Sequence, residues 1–111
     1  MSDQELLELA AKAAGLTNLI YCPAWKCMAE FNIDKQGGYF KWDTYWNPLG
    51  RDSDALQLTV RLNLMLDTDY NGCTSVGSAS LCEILEPHNG DPYAATRRAV
   101  VRAAAEIGKS K

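Results

Sequence analysis

A single histidine, four prolines and the lack of any long apolar run set the first limits on this chain of 111 residues. With His88 alone, a Cys–His or Ser–His pair would rest on one side chain, and no nucleophile signature lies beside it. No stretch approaches the roughly 20 apolar residues of a spanning helix, so no membrane partner is expected. The opening Met-Ser-Asp-Gln-Glu has no basic segment or cleavage site, so a secretory signal is not expected and the thiols are expected reduced, in a cytoplasm. P-loop and Rossmann fingerprints are missing, and the Gly37-Gly38 pair is too slight to stand for one, so no cofactor is expected. Cysteine is sparse, at positions 22, 27, 73 and 82. The spacings Cys-x4-Cys and Cys-x8-Cys depart from the Cys-x2-Cys of zinc knuckles. Free, buried thiols are the expectation, with zinc and a native disulfide as the alternatives and no metal ligand named.

What is present is the composition of a globular protein, 47% hydrophobic and 23% charged, in one domain's worth of chain over residues 1–111. The net charge of −3 makes generic nucleic-acid binding a poor expectation, since such affinity comes mostly from neutralised phosphates. The charge is uneven: Asp3, Glu5 and Glu8 open the chain, while Arg97, Arg98, Arg102, Lys109 and Lys111 crowd its end against Glu106. A local basic surface there is one reading.

Residues 2–14 predict a helix: Ser2 and Glu5 form a capping box, Leu6, Leu9, Ala10 and Ala13 an apolar stripe, and Gly15 a stop. Residues 16–22 are β-prone and end at Pro23, and 24–34 carry no clear signal. Gly37-Gly38 marks a turn before an alternating strand over 39–43, and 44–52 is a loop rich in breakers. Residues 53–66 conflict. Alternating Leu56, Leu58, Val60, Leu62, Leu64 and Leu66 say strand, whereas Asp52 or Ser53 as a cap and a shared Leu56–Val60–Leu64 face say helix. Asn71-Gly72 predicts a hairpin joining a strand over 64–70 to one over 73–77; Gly77-Ser78 marks a bulge or turn, and 81–86 is a further strand. Asp91 as cap and Pro92 at the first position open a helix over 92–107, with Tyr93, Val100, Ala104 and Ile107 on one face and Gly108 closing it.

Two segments carry a resemblance. One is Trp46-Asn47-Pro48-Leu49 followed by Asp54-Ala55-Leu56-Gln57-Leu58-Thr59-Val60-Arg61-Leu62; the other runs from Asn89-Gly90-Asp91-Pro92-Tyr93-Ala94-Ala95-Thr96-Arg97-Arg98 to Gly108. With the capped acidic first helix, they resemble the phage ABA-sandwich domain family, small proteins of bacteriophages and prophages of Gram-negative bacteria. The resemblance implies an α+β fold, an α/β/α sandwich of a small, mainly antiparallel sheet with helices at about 2–14, 53–63 and 92–107, and so settles the conflict at 53–63 as helix. It implies no catalytic residues, because the family's function is uncharacterised. The Asn-Pro-Leu and Asp-Pro-Tyr-Ala-Ala-Thr segments read as structural turns and caps.

Tyr39, Phe40, Trp42, Tyr45 and Trp46 place five of the ten aromatics in one short stretch. On a strand only alternate members enter a core, so the rest form an exposed surface unless a helix covers them. Arg97, Arg98 and Arg102 share the last helix; their forked guanidiniums suit phosphate, and the plain alternative is a solvated face with an Arg102–Glu106 pair. His88 reads as a solvated loop side chain. Asp67 and Asp69 share a strand face but lack a calcium loop. The expectation is a non-enzymatic phage accessory protein of the host cytoplasm that acts by binding. The binding residues expected are Tyr39, Trp42, Tyr45, Trp46, Arg97, Arg98 and Arg102. A thin core favours a homo-oligomer. A host protein or a small nucleotide-like ligand, sequestered as a counter-defence signal, are the partners considered, and nucleic acid the less favoured one.

Overall fold

Six alanines and one glycine between Ala94 and Gly108 make the last helix narrow enough for its neighbours to pack closely on it. The computed structural model describes residues 1–79 and 81–111, with the side chains of Leu81 and Cys82 outside that description. Its helices are α1 (Asp3–Ala13), α2 (Asp52–Arg61) and α3 (Pro92–Lys109). The strands are β1 (Ile20–Cys22), β2 (Cys27–Ala29), β3 (Phe31–Asp34), β4 (Gly37–Phe40), β5 (Met65–Tyr70), β6 (Cys73–Ser78) and β7 (Leu81–Pro87), with a 3-10 turn over Trp42–Thr44. The class is α+β, and all strand pairs are antiparallel, in three small sheets: β1-β2, β3-β4 and β5-β6-β7. Helix α3 is the hub, touching α1, α2, β6 and β7. The element shared by the rest of the body is thus a helix, with β6 and β7 packed on it and β1 and β2 on α1.

The ends of the elements follow from the sequence. Ser2 and Glu5 complete the capping box of α1, and Gly15 takes φ +77° just past its end. Asp91 accepts from the Ala94 N–H at 3.0 Å, capping α3 behind Pro92. Helix α2 forms where the conflict lay, and Arg51 at its N-cap makes no side-chain bond. Asp54 instead reaches back, accepting from the Asn47 N–H at 2.9 Å, and the Asn47 carbonyl accepts from Gly50 and Arg51. The Asn-Pro-Leu segment is therefore a turn tied to the helix it precedes.

Leu6, Ala10, Leu58, Leu64, Val76, Val100 and Val101 form the main core, and Leu7, Ala11 and Met28 a second cluster beside it. Trp46 packs against both. Four expectations need correction. The strand ends at Phe40 instead of Asp43, because the chain turns into the 3-10 element at Trp42. Gly108 does not stop α3; it lies inside the helix where α1 approaches so closely that an added Cβ would overlap the Leu9 carbonyl oxygen. Tyr93 is 71% exposed, since it sits in the first turn of α3, ahead of the buried stretch. On α2 the buried side is Ala55, Leu58 and Thr59, while Leu56 and Val60 are 63% and 68% exposed. The helix was rightly expected there, but its Leu56–Val60 stripe faces water.

Candidate binding surface

Residues 31 to 42 build an arm, with Trp25 and Tyr45 at its base. In β3-β4 the register pairs Phe31 with Phe40, Asn32 with Tyr39 and Ile33 with Gly38. Alternation puts Phe31, Ile33 and Phe40 on one face and Tyr39 on the other. Phe31 and Phe40 meet edge to face with centroids 5.1 Å apart, and the Phe31 ring lies over Gly38 in the space a Cβ would fill. Trp25, from the β1–β2 loop, extends the cluster, with centroids 6.2 Å from Phe40 and 6.5 Å from Tyr45. The base is stapled: Lys41 donates to the Glu30 carbonyl at 2.9 Å, and the Thr44 hydroxyl accepts from the Glu30 N–H at 2.8 Å while donating to the Lys41 carbonyl. Beyond the base, β3 and β4 pack chiefly on each other. Among the described residues no helix packs over them, and Ile33 is 80% and Trp42 79% exposed.

The expected binding residues divide accordingly. Tyr39 and Trp42 are exposed on the arm. Tyr45 is half-buried, its ring lying 5.3 Å from the Arg51 guanidinium carbon. Trp46 belongs to the core, and its backbone exchanges hydrogen bonds with Met28 at 2.8 and 3.0 Å. Trp25, Phe31 and Ile33 escaped the sequence reading, although Phe31-Asn32-Ile33-Asp34 ahead of Gly37-Gly38 has the alternation and turn of a hairpin.

The three arginines do not gather into a phosphate site. Arg97 donates to the Leu49 carbonyl at 2.9 Å and to Asp52 at 2.7 Å; Arg98 reaches Asp3 at 3.2 Å; Arg102 binds Glu86 at 2.6 Å and the Leu85 carbonyl at 3.1 Å. Each braces α3 to a different segment. Glu106 pairs with Lys109 at 3.0 Å, in place of the expected Arg102. His88 is half-buried: its Nε2 lies 3.1 Å from the Thr74 hydroxyl, which in turn lies 2.8 Å from that of Thr96. Thr74 is fully buried, and this chain of groups ties β6, the following loop and α3 together. Asp67 accepts from the Asp69 N–H at 3.1 Å, at the edge-strand bulge.

Among the described residues no group of three or more His, Cys, Asp or Glu side chains could hold a metal ion. No described helix is long and apolar enough to cross a membrane. An open cleft of about 560 Å³ lies between α2, β5 and the start of α3, walled by Leu56, Leu66, Tyr93 and Val100 with Arg97 and Asp52 at its side. Leu56 also borders a second cleft of about 560 Å³, with Trp46 and Val60. No protein-family model, curated protein or solved structure matches this chain.

Proposed function

We propose that the chain is a bacteriophage or prophage accessory protein of the host cytoplasm that acts by binding and not by catalysis, and that it self-associates through the β3–β4 arm. The exposure of Ile33, on a strand pair that packs on little but itself, and of Trp42, in the turn that follows, carries this reading. Large apolar side chains held in water gain about 25 cal/mol per Å² on being covered.

The dimensions support a second copy as the first occupant. The molecule measures 54 × 31 × 22 Å with a radius of gyration of 14.5 Å, against about 13 Å for a compact chain of its length. Its surface is 6615 Å², where a chain of 12.2 kDa ordinarily exposes about 6,100 Å². The excess is a large part of the roughly 800 Å² that each partner covers in a standard interface. The apolar cleft beside Leu56 and Tyr93 is a receiving surface of suitable character.

A host protein docked on the arm is the next partner. A nucleotide-like signal has less support, because the arginines that would hold its phosphates already have carboxylate or carbonyl partners. Sedimentation at tens of micromolar tests the proposal. The wild type is expected to run as a dimer or larger, and the Trp42→Ala/Ile33→Ser variant as a monomer of unchanged circular dichroism. A monomeric wild type overturns self-association.

A further inference from the structure

We infer that Cys22 and Cys27 form a redox-modification site, a cross-strand dithiol that a low-molecular-weight disulfide such as oxidised glutathione converts into a reversible disulfide. The two residues face each other across the β1-β2 ladder, at the mouth of the loop Pro23-Ala24-Trp25-Lys26. Both thiols are free and buried, whereas all four loop residues are exposed, so the pair is reached by opening a short loop rather than the core.

The hydrogen-bond pattern fixes which kind of pair this is. Met28 exchanges both of its backbone hydrogen bonds with Trp46, so it turns none towards Tyr21, its partner on β1. The ladder alternates, and Cys22 and Cys27 therefore sit at a hydrogen-bonded position, where opposed Cα atoms are about 5.5 Å apart. That lies inside the window of about 4.4–6.8 Å that a disulfide spans. Directly opposed Cβ atoms on a ladder stand about 4.5–5.5 Å apart, more at hydrogen-bonded positions, against about 3.5–4.5 Å in a disulfide. Closing the bond thus draws the strands together under strain, and strained disulfides are the readily reduced ones.

The exchange balances. One cysteine thiolate attacks a glutathione sulfur and releases one glutathione thiolate; the other cysteine then displaces the second glutathione from the mixed disulfide. Two electrons pass from the protein sulfurs to glutathione, and the two thiol protons end on the two glutathione molecules. Burial, and then the neighbouring Cys22, push the Cys27 thiol from 9.0 up to about 11, against the Trp46 backbone, the Tyr45 hydroxyl and Arg51, which favour the thiolate. Attack by Cys27 is accordingly slow at neutral pH and accelerates with rising pH. Its consequence falls on Trp25, which the closed loop would hold against Phe40 and Tyr45 at the base of the arm. The inference stands apart from the self-association proposal and needs no partner protein.

Intact-mass and peptide mapping of the folded chain incubated with oxidised glutathione provide the test. The wild type is expected to lose two hydrogens through a Cys22–Cys27 crosslink, to regain them under mild dithiol reductant, and to react roughly tenfold faster per pH unit between about 7 and 9. Cys22→Ser is expected to stop at a persistent glutathione adduct on Cys27. Separate glutathione adducts on both cysteines of the wild type, or no reaction at the pair while Cys73 is modified, overturn the inference. So does a crosslinking rate that ignores pH.

Discussion

The body of the protein and its arm use side chains in opposite ways. The body closes on small ones: Ala10, Ala99, Ala103, Ala104, Ala105 and Gly108 are buried around α3, and the larger core members are few. The arm holds the bulk, with Trp25, Phe31, Tyr39 and Trp42 exposed. Small residues let backbones approach and make the contact sensitive to each added atom. Large residues left in water add little to folding and keep their apolar area for another surface. Order and recognition are in this way assigned to different parts of one short chain.

Substitution at the closest point of the body is expected to have the largest effect. Gly108→Val forces a side chain into the Leu9 backbone and should lower stability by about 3 kcal/mol, or roughly 15 °C in Tm, by thermal or urea denaturation. A smaller loss, about 1 kcal/mol, is expected for Asp91→Ala, which removes the cap of α3 and leaves the Ala94 N–H without its partner. Trp42→Ala is expected to change stability by less than about 0.5 kcal/mol while weakening self-association. A destabilisation of several kcal/mol by Trp42→Ala would show that the arm belongs energetically to the body, and the contrast between the two regions would fail.

The body was the more legible region. Caps and turns act within a few residues, so Ser2, Glu5, Gly15, Asn71-Gly72, Asp91 and Pro92 mark their elements in the sequence itself. The bulge expected at Gly77-Ser78 is present as a shift in register between Val76 and Ser78. What could not be read is what depends on distant partners. Leu56 and Val60 look like a core stripe at helical spacing, and only the placement of α3 and the sheet turns Ala55, Leu58 and Thr59 inward instead. Gly108 reads as a terminator until α1 is seen against it. The arginines read as a basic patch until Asp52, Asp3 and Glu86 are found opposite them. At the candidate site, the density of aromatics around 39–46 pointed to the right region. It did not reveal that Trp46 turns inward while Ile33 turns outward.

Helix α3 follows every element it holds together. During synthesis, α1, α2, β6 and β7 leave the ribosome before the helix they share has been translated. Those elements must therefore wait without that surface. Arg97, Arg98 and Arg102 then arrive together and fasten three waiting segments within a few peptide bonds of one another.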